Sequence, residues 1–272
     1  MLHVALGSIG VITRTIDAVD RSAAVPTTRQ DALVGSVLLG AAAVVFLNLY
    51  AAALVVLRAR VWHLPVYRPM LVNIGLSFAP VLAALVLPSG FLATGALVGT
   101  GGEGPPLPVL VGGLWLFVLA ATAVWLLAFP NSAYLITELN LSHRRDDDPV
   151  PLWYDIVATL TLTVSGLANA VLGLGIIQFS ALLLADANSV PVWSWAGVAV
   201  VLVLGAFGIY LGRYVRLNSW DVRHPVSLAG KVRAHLGETG VGAAAGFVAT
   251  HALLLAAIYV PLFVLARSSL TP

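Results

Sequence analysis

The chain has 272 residues, of which 60% are hydrophobic and only 10% are charged, and its mean hydropathy is +0.97. Soluble proteins carry roughly a quarter charged residues, so this composition excludes a soluble domain and a disordered chain and predicts an integral membrane protein. The net charge of +2 gives no basic field for nucleic acid, and the lack of cysteine excludes disulfides and thiolate metal sites.

Six apolar segments free of Asp, Glu, Lys and Arg follow one another along the chain. A helix needs roughly 20 such residues to cross the bilayer core, and the period-2 alternation typical of strands is missing. We therefore predict an all-α, polytopic transmembrane helical bundle of about six spans. It forms one domain over residues 33–266, between an N-terminal tail (1–32) and a C-terminal tail (267–272). The predicted spans are 33–57, 70–87, 107–129, 156–184, 192–211 and 241–266.

Two of these spans depart from the usual pattern. The second is short and contains Pro80, so a re-entrant segment, which would leave five spans, is the alternative. The fourth is longer than a bilayer requires, so we expect it to tilt or break.

The Gly- and Pro-rich stretch 88–106 is predicted to be a connecting loop. Polar residues inside the spans are expected to hydrogen-bond between helices: Asn48, Asn73, Asn169, Gln178 and His251.

The distribution of basic residues predicts the orientation. With the N-terminus outside, one side of the membrane holds Arg58, Arg60, Arg68, Arg144, Arg145, Arg213, Arg216, Arg223, Lys231 and Arg233. The other side holds Arg14, Arg21, Arg29 and Arg267. Basic residues near span ends favour the cytoplasmic side, so both termini are expected on the non-cytoplasmic side.

Three polar segments are predicted to meet at the cytoplasmic rim: FPNSAYLITEL (129–139), PLWYD (151–155) and GIYLGRYVRLNSWDVRHP (208–225). A partly desolvated carboxylate requires a partner, so we expect Arg213 or Arg216 to pair with Asp155 or Asp221. The candidate ligand-binding residues are Asn131, Tyr134, Glu138, Trp153, Tyr154, Asp155, Arg213, Arg216, Asn218, Trp220 and Asp221. In this hypothesis the carboxylates accept hydrogen bonds from the ligand, the arginines pair with its anionic groups, and the aromatic rings form the walls of the binding site.

The same segments carry a family resemblance. The patterns FPN-x-x-Y-x-x-T-E-L, PLWYD and R-x-N-S-W-D resemble the signature segments of the bacterial membrane proteins grouped as domain-of-unknown-function family 1361. The resemblance runs from about the second span to about Asp221. It implies a multi-pass protein of the bacterial cytoplasmic (inner) membrane, and it implies no activity.

These features support one leading hypothesis and two alternatives. The leading hypothesis is a membrane protein that binds a small polar or lipid head-group ligand at the rim. The alternatives are a small-solute transporter or channel component, and a partner-binding subunit without a ligand. The residues leave catalysis open, with a carboxylate acting as general base on a lipid-linked substrate as the simplest version.

The rim carboxylates also suggest a cofactor. Glu138, Asp155 and Asp221 could hold a divalent cation through oxygen ligands. The alternative is that they only pair with arginines and helix N-termini, which is the more common arrangement.

A short amphipathic helix is predicted over residues 226–238. Its apolar residues Leu228, Val232 and Leu236 recur at every fourth position beside Lys231 and Arg233. A basic helix of this kind lies on an anionic leaflet, so we expect an anionic lipid at Lys231 and Arg233. The bilayer is the other expected partner, nucleic acid is not expected, and the sequence indicates no oligomeric state.

Overall fold

A computed structural model describes residues 27–98, 106–138, 149–185, 189–215 and 224–270, and within these ranges all regular secondary structure is helical. The helices are α1 (Thr27–Val61), α2 (Arg68–Val98), α3 (Leu107–Tyr134), α4 (Leu152–Leu184), α5 (Val192–Tyr210), α6 (Pro225–Thr239) and α7 (Val241–Leu270). A 3-10 turn, Leu135–Glu138, continues α3, and a π-helical turn, Leu211–Val215, continues α5.

Every helix except α6 is long and apolar enough to cross a membrane, which gives six spans over the described residues. The predicted all-α bundle of six spans is therefore confirmed. Large apolar side chains such as Leu39, Leu116 and Leu127 are exposed on the outside of the bundle, where lipid tails take the place of water. The predicted N-terminal tail lies almost entirely outside the described residues.

The second and fourth spans are continuous helices. Helix α2 runs through Pro80 and Pro88 to Val98, so the predicted loop over 88–106 is wrong for its first eleven residues, 88–98. Gly90 lies against α3, and a Cβ there would come within 2.1 Å of the Phe117 ring. Gly90 thus allows close helix packing, and neither Gly90 nor Pro88 marks a turn, since membrane helices tolerate both residue types. Helix α4 continues without a break over 33 residues.

The helices pack around α4. Helix α2 lies against both α3 and α4, α1 packs on α4, and α5 packs on α3 and α7. The largest apolar cluster lies between α3, α4, α5 and α7. It includes Trp125, Phe129, Leu174, Leu202 and Tyr259.

Four helices are joined by a buried hydrogen-bond network centred on Asn169 of α4. Asn169 is fully buried and exchanges two hydrogen bonds with Asn48 of α1, at 2.8 and 3.0 Å. Its amide also donates to the Ser77 hydroxyl of α2 at 2.9 Å. Ser132 of α3 donates to the Ser77 carbonyl oxygen at 3.1 Å. The expectation that Asn48 and Asn169 link helices is confirmed.

A second network lies further along α4. The Gln178 amide donates to the Ser194 hydroxyl of α5 at 2.8 Å and accepts from the Tyr259 hydroxyl of α7 at 2.5 Å. Gln178 therefore also links helices, as predicted. His251 was expected to bond a neighbouring helix, but its Nδ1 lies 2.9 Å from the Phe247 carbonyl oxygen of its own helix.

Asn73 provides a natural control for these networks. It is half-buried, and within the described part of the chain its side chain has no hydrogen bond to another helix, contrary to expectation.

We predict that Asn169→Leu lowers the free energy of unfolding by about 2 kcal/mol, since each lost interhelical hydrogen bond is worth roughly 0.6–1.7 kcal/mol. Asn73→Leu should leave it nearly unchanged.

The test is denaturant unfolding of both variants in mixed micelles, followed by tryptophan fluorescence. Equal losses in the two variants would show that the Asn169 network is not a special source of stability.

Candidate functional site

The polar candidates concentrate where α1 and α3 end and α2 and α4 begin, which we call the Asp155 end of the bundle. Helix α4 begins directly after Pro151, which has extended backbone angles, and Asp155 lies in its first turn. A carboxylate in the first turn of a helix is favoured by the exposed backbone N–H groups there. The local sequence thus explains why the acid of PLWYD lies at this position.

Asp155 forms an ion pair with Arg58, with the Arg58 Nε 2.9 Å from the Asp155 Oδ1. Arg58 lies in the last turn of α1, where a cation is favoured by the carbonyl end of the helix. The sequence suggested Arg213 or Arg216 as the partner, whereas among the described residues the ion pair joins Asp155 to Arg58. Arg58 was not considered as a partner from the sequence, because the packing of α1 on α4 is a neighbour relation that residue patterns do not encode. Arg216 and Asp221 lie outside the described residues, so an ion pair involving Arg213 or Arg216 stays a prediction.

The ion pair lines a cavity of about 230 Å³, which we call the Asp155 cavity. Its lining residues are Leu54, Val55, Arg58, Ala59, Pro65, Tyr67, Met70, Asp155, Ala158, Thr159 and Leu162. Leu54, Met70 and Leu162 are buried and form an apolar floor. The two charged side chains remain partly exposed, Arg58 at 33% and Asp155 at 12%. The cavity is therefore apolar inside and carries both charges in its wall.

The short connection between α1 and α2 contributes two further lining residues, Pro65 and Tyr67. Helix α1 ends at Val61. His63, two residues later, has a positive φ of 55°, and the Leu64 N–H donates to the Ala59 carbonyl oxygen at 2.9 Å. This left-handed helix cap turns the chain sharply. It thereby brings Pro65 and Tyr67 to the cavity within a few residues of the helix end.

The neighbours of Asp155 in PLWYD have different surroundings. Tyr154 is buried, donates from its hydroxyl to the Leu54 carbonyl oxygen at 2.7 Å, and packs edge-on against Trp62 at 4.7 Å. Trp153 is 63% exposed. Asp155 therefore lines the cavity, Tyr154 fixes α4 to α1, and Trp153 is exposed at the surface.

The segment beginning FPN packs tightly against glycines of α5 and its π-helical turn. A Cβ on Gly205 would lie 2.6 Å from the Phe129 ring, and one on Gly208 would lie 2.3 Å from the Pro130 ring. Tyr134 lies against Gly212, where a Cβ would be 3.4 Å from its ring. Two further candidates flank this seam, with Asn131 exposed and Arg213 half-buried in the π-helical turn.

The remaining candidates cannot be placed. Arg216, Asn218, Trp220, Asp221 and the side chain of Glu138 lie outside the described residues. Among the residues that the structure does describe, no three His, Asp or Glu side chains are grouped as metal ligands. The proposed cation site of Glu138, Asp155 and Asp221 stays a prediction, because two of its three side chains are not described.

An aromatic cluster at the same end was not anticipated. Tyr210 packs against Tyr214, His235 of α6 and Phe247 of α7, with ring centroids 5.0, 5.7 and 5.5 Å away. These contacts fix α6 against α5 and α7. The recurrence of leucine and valine at every fourth position predicted helix α6 but not its packing against this aromatic cluster.

Comparison with known proteins identifies the family. The chain matches the family described as "Protein of unknown function (DUF1361)" over residues 109–259. It belongs to this family. No curated protein and no solved structure matches the chain. The matched region contains Asp155 but not Arg58, so the ion pair joins a residue inside the region to one outside it. Family membership and the six apolar helices together make the chain a multi-pass integral membrane protein of unknown function.

The glycine seam generates a prediction for the FPN segment. Gly208→Ala should lower the free energy of unfolding by about 1–3 kcal/mol, because the added methyl group overpacks the contact with Pro130. Gly197→Ala is the matched control in α5, since a Cβ there meets nothing within 4 Å. It should be neutral or slightly stabilising.

Thermal unfolding of both variants in mild detergent checks this prediction. If Gly208→Ala unfolds at the same temperature as Gly197→Ala, the seam does not constrain the position of α5.

Proposed function

We propose that this protein binds a small polar molecule or lipid head group in the Asp155 cavity, at the cytoplasmic rim of a bacterial inner membrane. The observation that carries the proposal is the position of the Arg58–Asp155 ion pair in a cavity wall. Both charged groups are thus held at a space that a ligand can enter.

A contribution to the stability of the fold does not by itself explain why an ion pair is present at this position. The net contribution of a partly exposed ion pair is small, and buried pairs are often replaced by apolar residues without loss of stability. Removing only one partner is costly, because the other charge then loses its counterion. An ion pair in a cavity wall keeps each charge neutralised in the empty protein. It also leaves both charges available to a ligand whose own charged groups can replace the partner.

The chemistry of the cavity favours a zwitterionic head group. An anionic group can accept hydrogen bonds from the Arg58 guanidinium, and a cationic group can pair with the Asp155 carboxylate. The apolar floor of Leu54, Met70 and Leu162 suits the glycerol or first methylene groups below such a head group. A volume of about 230 Å³ is below the roughly 300 Å³ of small ligand pockets. It therefore suits a head group better than a whole lipid.

The basic residues support the proposed orientation. Arg58 and Arg60 lie in the last turn of α1 and Arg68 begins α2, all at the Asp155 end. Arg267 lies in the last turn of α7, at the opposite end. Under the positive-inside rule this asymmetry directs the Asp155 end to the cytoplasm and both termini away from it.

The transport hypothesis is not favoured by the described contacts. Asn169 and Gln178, polar residues within the longest predicted span, are engaged in hydrogen bonds between helices. This is the role of interhelical links. The partner-subunit hypothesis makes a different prediction from ligand binding, and the following experiment separates the two.

We predict that Asp155→Asn and Arg58→Gln each reduce binding of phosphatidylethanolamine about tenfold, since a hydrogen bond to a charged group is worth roughly 1.5–3 kcal/mol. Arg60→Gln is the control, because Arg60 is exposed in the same helical turn and does not line the cavity. The measurement is native mass spectrometry of the detergent-purified protein titrated with phosphatidylethanolamine.

Unfolding temperatures of the same samples provide the second reading. Undiminished binding in Asp155→Asn and Arg58→Gln would refute the head-group proposal. Loss of folding in both variants, with no binding by the wild type, would instead assign the pair to an ionic scaffold.

A further inference from the structure

A second, larger groove lies at the Asp155 end, between α5, α6 and α7. Its volume is about 560 Å³, which is within the range of about 300–1,000 Å³ found for ligand sites. Apolar side chains from α5, its π-helical turn and α6 dominate the lining: Phe207, Leu211, Leu228, Val232 and Leu236. None of these residues lines the Asp155 cavity, so the two spaces are distinct.

The groove has a cation at its edge. Arg233 of α6 is exposed and is the charged side chain among the described lining residues. Lys231 lies on the same helix but does not line the groove. Arg213 follows Leu211 in the π-helical turn, so a second guanidinium is close in the chain to the groove wall. Glu238, near the end of α6, is exposed and also does not line the groove.

The wall of the groove includes an unusual backbone feature. Leu211 begins the π-helical turn Leu211–Val215, where α5 ends. Single π-helical turns are rare and occur frequently at functional sites. Here the turn lies against α6. The rings of Tyr210 and Tyr214 pack against His235 of α6 and hold this helix against α5. The groove is therefore framed by helix contacts that do not depend on its occupant.

We propose that this groove binds an acyl chain of an anionic phospholipid whose phosphate pairs with Arg233. The apolar lining matches the chain, and the guanidinium matches the phosphate. Amphipathic helices with basic residues are attracted to anionic leaflets, and the surrounding bilayer supplies this ligand. Charge complementarity favours the lipid over a second copy of the chain, because another apolar helix would leave Arg233 without a counterion. The proposal does not rest on the Asp155 cavity.

Two glycines of α6 allow a matched test. Gly237 lines the groove and Gly230 does not, and an added Cβ meets nothing within 4 Å at either position. Gly237→Leu should fill the groove without disturbing the fold, and Gly230→Leu is its control. Arg233→Gln and Lys231→Gln form a second pair, because only Arg233 lines the groove.

The experiment is native mass spectrometry of the full chain in neutral detergent, titrated with phosphatidylglycerol or with phosphatidylcholine of the same acyl chains. We expect the wild type to retain phosphatidylglycerol preferentially, Gly237→Leu to lose it, and Gly230→Leu to keep it. Arg233→Gln should weaken binding about fivefold, the effect of one basic residue near an anionic lipid, whereas Lys231→Gln should retain most of it.

Three results would overturn the proposal. Equal retention of phosphatidylglycerol by Gly237→Leu and Gly230→Leu would show that the groove is not the site. Equal weakening by Arg233→Gln and Lys231→Gln would reduce the effect to general surface charge. A dimer mass that disappears only in Gly237→Leu would show that the groove holds a second copy of the chain.

Discussion

The hydrogen bonds of Asn169 are the interaction on which the rest of the bundle depends. A polar side chain inside hydrocarbon must find its partners within the protein, and Asn169 finds them on α1 and α2, while Ser77 extends the network to α3. These bonds join four helices in one register. Apolar packing alone provides little such specificity, because lipid tails are as apolar as the side chains that face them.

The register set by this network places the candidate site. Helices α1 and α4 are joined at three successive levels, by Asn48–Asn169, by Leu54–Tyr154 and by Arg58–Asp155. The first is a neutral link inside the bundle and the last is charged at its end. Because the third level also meets the start of α2, the ion pair lies in the wall of a cavity and not between two closely packed helices. Structure and proposed chemistry thus share one set of contacts.

Much of the fold was predictable from where charges are missing, since charge-free runs of bilayer length can hardly be anything but spans. The end of α2 was misjudged because Pro88 and Gly90 usually mark turns in soluble proteins, whereas here Gly90 admits the Phe117 ring. Asp155 was singled out in the sequence because it lies directly before the fourth predicted span, and the structure places it in the wall of a cavity. Its role as a ligand-binding residue stays a prediction. Arg58 was missed as its partner, because a contact across 97 residues of chain leaves no local pattern.

The central claim is that the Arg58–Asp155 pair recognises a ligand and does not serve only to hold α1 on α4. The most direct test measures the unfolding temperature and the lipid binding of the double variant Arg58→Asp with Asp155→Arg. This variant restores the ion pair with its two charges exchanged. If the pair recognises a ligand, this protein should still fold, with an unfolding temperature lowered only by the unfavourable reversed charges at the two helix ends, but lose phosphatidylethanolamine binding in native mass spectrometry. Wild-type folding together with wild-type binding would contradict the claim, because the orientation of the charges would then have no effect on the ligand.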